Sequence, residues 1–286
     1  CVQGGRLKRT HVAAAALAAG LTLFTLAALA QSAGGKATPR IGLALSGGGA
    51  RGLAHVGVLK VLEELRVPVH CVTGTSMGAI VGGAYAAGST AAELEEFVRK
   101  ADWDDVFRDS PPRAEISTRR KIDDYKTLFA PEYGITPGSL FLPKGLIAGV
   151  SIEGFFRQLT QQVVEVGDFD RLPIPFRAVA ADIETGEAVV LARGSLSRAM
   201  RASMSVPGAI APVEIDGRLL VDGGIANNLP IDEARKLCGD VIIAVNISTP
   251  ALKRNEISSA LTVGTQLINF LGKANVERQL ASLGPR

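Results

Sequence analysis

The stretch Val69-His70-Cys71-Val72-Thr73-Gly74-Thr75-Ser76-Met77-Gly78-Ala79-Ile80-Val81-Gly82-Gly83 decides the fold. Its first five residues are rich in β-branched side chains, and its last part is an Ala/Gly-rich segment able to continue as a helix. The pentapeptide Gly74-Thr75-Ser76-Met77-Gly78 therefore reads as strand, sharp turn, helix, the setting of a nucleophile elbow. The spacing has a steric reason: the turn strains the serine backbone, and Gly74 and Gly78 let strand and helix approach without Cβ clashes. With 32 Gly among 286 residues, about 0.2 Gly-x-Ser-x-Gly matches arise by chance, so the neighbouring segments must supply what such a serine needs.

Upstream, Ile41 to Ser46 is a short, continuously apolar run of the kind that forms a buried parallel strand. It feeds into Gly47-Gly48-Gly49-Ala50-Arg51-Gly52, after which Leu53, Val56, Leu59, Val61, Leu62 and Leu65 recur at helical spacing up to Pro68. Gly47, Gly49 and Gly52 match the dinucleotide fingerprint Gly-x-Gly-x-x-Gly, but that site needs an acid near the end of the second strand, and Val69 to Ser76 contains none. The loop amides, at a helix N-terminus, suit an oxyanion instead.

A serine nucleophile needs a base, and in the hydrolase order serine, acid, histidine the histidine comes last. The chain has His11, His55 and His70 and none beyond. His55 falls mid-helix, where a packing role is expected, and His70 reads as a surface residue. A carboxylate remains. Val213-Glu214-Ile215 and Arg218 to Val221 flank Asp216-Gly217, a two-residue hairpin signal, and deliver Asp222-Gly223-Gly224 at the strand exit. Asp222 is the candidate base; an ordinary turn aspartate is its alternative.

Ser89 or Thr90 should cap the next helix, with Glu93 completing a capping box, Ile152 to Leu159 should be a helix capped by Ser151, Phe176 to Ala181 and Ala188 to Ala192 strands, and Ser195 to Ser203 a helix. Val241 to Val245 reads as another buried strand, and Ile257 to Leu283 as a long helical tail. Residues 101–145 lose periodicity under Trp103 and several prolines, which suggests a partly helical cap over the cleft. Its Leu128, Phe129, Leu140, Phe141 and Leu142 suit either a lipid-facing surface or a side core.

Residues 1–30 hold Arg6, Lys8 and Arg9 and no acid, so without them the net charge falls from +3 to 28 basic against 28 acidic residues. A neutral body argues against a nucleic-acid partner. Those basic residues precede the apolar run Val12 to Ala30, ending in Ala28-Leu29-Ala30. This is the layout of a secretory signal cleaved after Ala30, with a membrane anchor as the alternative, and residues 31–39 as a linker. Neither Cys1, Cys71 and Cys238 nor the histidines show metal-ligand spacing, so no metal site is expected. Cys71 and Cys238 are expected as buried, unpaired thiols, because two isolated cysteines do not make a disulfide framework.

Gly-Gly-Gly-Ala-Arg-Gly at 47–52, Gly-Thr-Ser-Met-Gly at 74–78 and Asp-Gly-Gly at 222–224, in that order, resemble the patatin-like phospholipase family, in its bacterial, exported type. The resemblance spans residues 41–250. It implies an α/β, three-layer fold with a mainly parallel central sheet flanked by helices, and a Ser–Asp dyad needing neither metal nor cofactor. Ser76 would be the nucleophile, Asp222 the general base, and the amides of Gly47, Gly48 and Gly49 the oxyanion hole. Arg51 matches the family's basic loop position, where it would hold the loop or meet a phosphate. The implied activity is hydrolysis of phospholipid or lysophospholipid esters at a membrane surface; a catalytically inactive lipid-binding scaffold is the alternative. The family pattern runs into a further strand beyond Arg278, so a C-terminal part is expected past Arg286, and some exported relatives carry a fused outer-membrane barrel.

Overall fold

Uninterrupted apolar and β-branched runs make the central strands. β1 (Ile41–Leu45) and β2 (Cys71–Thr75) are almost wholly buried and pair in parallel, Gly42 opposite Cys71 and Leu45 opposite Gly74. A parallel pair requires a crossover, here a 3₁₀ segment (Gly49–Leu53) and α1 (Ala54–Glu64), which turns His55, Val56, Leu59 and Leu62 inward. The computed structural model describes residues 38–109, 114–124, 134–136, 139–141, 145–248 and 250–283. Beyond β2 the chain runs through α2 (Met77–Ala86), α3 (Ala91–Lys100), α4 (Trp103–Val106), α5 (Thr118–Asp124), β3 (Gly134–Thr136), β4 (Ser139–Phe141), β5 (Gly145–Ile147) and α6 (Val150–Leu159). There follow β6 (Phe176–Asp182), β7 (Ala188–Leu191), α7 (Leu196–Ser203), β8 (Gly208–Ile210), β9 (Val213–Ile215), β10 (Arg218–Asp222), α8 (Ile231–Leu237), β11 (Val241–Val245) and α9 (Ala260–Ala281).

The central sheet is mixed, in the order β11-β1-β2-β6-β10-β9, with β7 also on β6. Neighbours from β11 to β6 are parallel, whereas β10, β9 and β7 join antiparallel. The antiparallel part follows from the Asp-Gly hairpin: Asp216 (φ 52°) and Gly217 (φ 75°) both adopt the left-handed backbone that a two-residue turn between β9 and β10 requires. Alternation along β1 separates the layers. Leu43 and Leu45 belong to the large core, with residues of α1, α2, α6 and α7, while Ala44 faces a smaller core with Ile231 and Ala234 of α8 and Val276 of α9. The result is the expected three-layer α/β arrangement.

Three local expectations are corrected. Cys71 and Cys238 form a disulfide, with Cα atoms 6.0 Å apart. They are 167 positions apart in the chain, and only the packing of α8 against β1 and β2 brings the end of that helix to the start of β2. Ser151 lies inside α6 rather than capping it; the Asp109 carboxylate, 40 residues upstream of Gly149, accepts the amides of Gly149 (2.8 Å) and Val150 (2.9 Å) instead. His70 is half-buried, and its Nδ1 accepts the Ile41 amide at 3.0 Å. The Thr90 capping box stands as expected.

The cap segment contributes α4, α5, a β3–β4 hairpin and β5, which pairs in parallel with β8. Residues 1–37, including the signal or anchor and most of the linker, lie outside the described residues, as do Leu128, Phe129 and Leu142. Among the described residues no helix is long and apolar enough to cross a membrane. The disulfide closes a long loop and should stabilise the fold by about 2–4 kcal/mol. Cys238→Ser is therefore expected to lower the urea midpoint under non-reducing conditions, and adding reductant should bring the unsubstituted chain to the same value.

Candidate active site

β2 ends at Thr75, α2 begins at Met77, and the single residue between them carries the turn. Ser76 sits at φ 53°, ψ −121°, a conformation that costs a non-glycine residue about 1–3 kcal/mol and persists only where surrounding bonds impose it. The bonds are present. The Ser76 amide donates to Ser203 Oγ (2.9 Å) at the end of α7, and that hydroxyl donates to the Val179 carbonyl of β6 (2.5 Å). Thr75 Oγ1 donates to the Asn227 carbonyl (2.7 Å). A Cβ on Gly74 would collide with the Gly78 carbonyl, and one on Gly78 with the Leu45 carbonyl, so both elbow glycines are sterically required.

Strand register brings the acid beside this turn. Thr75 lies opposite Val179 of β6, and Ala180, the next residue, lies opposite Asp222 at the end of β10. Asp222 is 5% exposed. Its amide donates to the Ser205 carbonyl (2.9 Å), and its Oδ1 accepts the Gly224 amide (2.7 Å). Burial pushes the carboxyl up to about 6; hydrogen bonding from the Ser76 side chain and the Gly224 amide acts in the opposite direction by favouring the carboxylate.

The glycine loop faces the same space, with one change from expectation. The Gly47 amide is bonded to the Asn228 carbonyl at 3.1 Å, so it cannot also serve an oxyanion, and Gly47 acts as an anchor of the loop. Gly48 caps and Gly49 starts the 3₁₀ segment, where amides have no partner within the helix, and among the described residues neither donates to another backbone carbonyl. Asn228 also reaches Gly47 O (3.4 Å) and Ser248 Oγ (3.1 Å) through Nδ2, and its own amide donates to Asn275 Oδ1 of α9 (2.8 Å). His55 is fully buried with Nε2 on the Ser46 carbonyl (2.8 Å), and burial holds its pKa below the usual value. Its role is to fix the start of the loop. Arg51 is exposed on the 3₁₀ segment, outside the cleft wall.

Two cavities meet at Ser76. One, of about 200 Å³, holds the polar groups of the site and is lined by Gly47, Gly48, Gly49, Asp222, Asn228 and Lys273. The other, of about 330 Å³, is apolar, with Leu53, Ile80, Trp103, Phe107, Met204 and Ile210. Trp103 and Phe107 come from the cap segment, so part of it does border the cleft.

The sequence profile described as patatin-like phospholipase matches residues 43–235, from β1 through α8. The chain belongs to this family. An uncharacterized NTE family protein of Mycobacterium bovis is 38% identical over 214 residues, which are 75% of this chain and 51% of that protein. Patatin-like phospholipase domain-containing protein 6 of Mus musculus is 34% identical over 211 residues, 73% of this chain and 14% of the relative. The chain thus spans about half the length of the mycobacterial relative. Among solved structures, VipD from Legionella pneumophila matches with a TM-score of 0.43 at 17% identity, covering 67% of this chain and 47% of that one.

Three residues of this patatin-like site were not singled out from sequence: Ser203, Asn228 and Asn275. Each acts through the backbone of a segment distant in sequence, so no local pattern marks it. Asn228 follows another asparagine in a short loop after Asp222, and that polar pair is the one visible hint. Ser203→Ala leaves the Ser76 amide and the Val179 carbonyl short of a partner. Urea unfolding should register a loss of about 1–3 kcal/mol, and acylation at Ser76 should slow by more than the loss of folded protein accounts for.

Proposed function

We propose that this patatin-like chain is a serine lipid acyl hydrolase of the phospholipase A or lysophospholipase type, working through Ser76 and Asp222. The observation that carries the reading is a strained serine and a buried carboxylate on either side of β6, open to a cleft with an apolar pocket at its side.

The chemistry follows from the positions. Asp222 accepts the proton of the Ser76 hydroxyl as Oγ attacks the ester carbonyl, and the acyl chain lies in the apolar pocket. Negative charge on the tetrahedral oxygen is met by the Gly48 and Gly49 amides, each donor of such a hole being worth about 2.7–4 kcal/mol. Asp222 returns the proton to the departing alcohol, and water, deprotonated by the same carboxylate, releases the fatty acid and restores Ser76. A carboxylate is a weak base for a hydroxyl, and its raised pKa narrows that gap. Export is part of the proposal. The basic and apolar N-terminal run supports it, and so does the Cys71–Cys238 disulfide, since such bonds persist in oxidising compartments. The partner is then a phospholipid-bearing membrane surface outside the cytoplasm.

Labelling with a long-chain alkyl fluorophosphonate, followed by peptide mass mapping, should place a stoichiometric adduct on Ser76, and Asp222→Asn should nearly abolish both labelling and turnover. A folded chain that takes up no label would point to the lipid-binding scaffold. Because Asp222 must be ionised to act as base, kcat/KM is expected to fall as the pH drops through about 6. Stability runs the other way. A carboxyl raised from 3.8 to about 6 by folding contributes stability that is present below 3.8 and lost as the pH rises through about 6. Asp222→Asn should therefore match or exceed the unsubstituted chain in stability at pH 7, by up to about 3 kcal/mol.

A further inference from the structure

Helix α9 forms one wall of the cavity that holds Asp222, through Ile268, Asn269, Gly272 and Lys273. These positions recur at helical spacing and so share one face. At Gly272 that face packs beside the loop that carries Asp222: a Cβ there would stand in ordinary contact, 3.4 Å from the Gly224 carbonyl. Two polar groups on this wall lack an assignment. Asn269 Nδ2 is shielded from solvent and has no hydrogen-bond partner among the described residues, a state that is unfavourable unless an acceptor binds. Lys273, one turn further on, and Asp222 are the charged residues of the cavity wall. The Lys273 ammonium lies 3.8 Å from Glu277 Oε1, with both side chains mostly exposed, a contact weak enough to be exchanged for a better anion.

The two cavities give a bound ester a direction. With its acyl chain in the apolar pocket and its carbonyl at the Gly48 and Gly49 amides, the departing alcohol must point toward α9. We propose that Asn269 and Lys273 form a leaving-group subsite that reads the phosphate of a glycerophospholipid or lysophospholipid, Lys273 by charge and Asn269 by donating from Nδ2. The inference rests on the hydrolase reading and moves phosphate recognition from Arg51, outside the cavity wall, to α9. It also makes neutral glycerides the poorer substrates, because their leaving groups offer Lys273 no anion in exchange for its weak contact with Glu277.

The test compares two substrates with the same acyl chain, 1-palmitoyl lysophosphatidylcholine and 1-palmitoylglycerol, below their aggregation thresholds, on the whole chain and on its Lys273→Gln and Asn269→Ala variants. Each variant should raise KM for the lysophospholipid, Lys273→Gln by about tenfold, as expected for loss of a charge-assisted contact. Its kcat and all constants for the monoacylglycerol should stay within twofold. Raising the salt concentration should weaken lysophospholipid binding in the unsubstituted chain and have little effect in Lys273→Gln. Equal losses on both substrates, or none on either, with Ser76 still labelled by the fluorophosphonate, overturn the subsite alone. No turnover and no labelling in the unsubstituted, folded chain overturn the hydrolase reading and the subsite with it.

Discussion

Ser76 occupies a backbone conformation that its side chain disfavours, and much of the surrounding structure serves to impose it. The strain is local, but what holds it is not. α7 contributes the Ser203 hydroxyl, β6 the carbonyl that orients that hydroxyl, and the loop before α8 the carbonyl that ties down Thr75. Each restraint comes from a different part of the chain, so the elbow can be strained only after the sheet and both helical layers have assembled. The same dependence explains the two elbow glycines, because carbonyls of Gly78 and Leu45 occupy the space where side chains would lie.

Asp222, the proposed base, is restrained in a different manner. In a three-residue triad, the third member orients the base and stabilises its charged form. In this chain the Gly224 amide on Asp222 Oδ1 orients the carboxylate, and the strand-end bond from the Asp222 amide to Ser205 fixes its backbone. Burial desolvates the carboxyl and outweighs the lowering by its hydrogen-bond donors, so its pKa rises instead of falling as it does for a carboxylate amply supplied with donors. Stability and reactivity are therefore opposed at this one residue.

Features with a local cause were legible in the sequence. Gly74 and Gly78, the Asp216-Gly217 turn, the Thr90–Glu93 cap and the buried runs of β1 and β2 are each decided by residues within a few positions, and each stands where the sequence indicates. What escaped depends on contacts between distant segments. The Cys71–Cys238 bond follows from where α8 lands beneath the sheet, and the Asp109 cap on α6 from the path of a segment without periodicity. The function of Gly47 differs from its neighbours' for the same reason. Three successive glycines look alike in sequence, and only the Asn228 carbonyl, 181 positions later, decides which amide is bonded and which are free.

Asn228 and Asn275 extend this reasoning from single residues to the whole site. Asn275 Nδ2 donates to the carbonyls of Gly224 (2.9 Å) and Ile225 (3.3 Å), while its Oδ1 accepts the Asn228 amide; Asn228 in turn holds Gly47. One buried amide on α9 therefore links the loop that carries Asp222 to the glycine loop at the cleft, and it does so by paired backbone groups on both sides. A substitution at Asn275 would leave several buried polar groups unpaired at once, and the effects on base and loop would be coupled rather than additive. α9 thus reaches the site in two ways, through Asn275 as a brace beneath it and through Asn269 and Lys273 as a wall beside it. Because Asn275 and the α9 wall sit on one rigid helix, a shift of that helix displaces the Asp222 loop, the glycine loop and that wall of the cleft together.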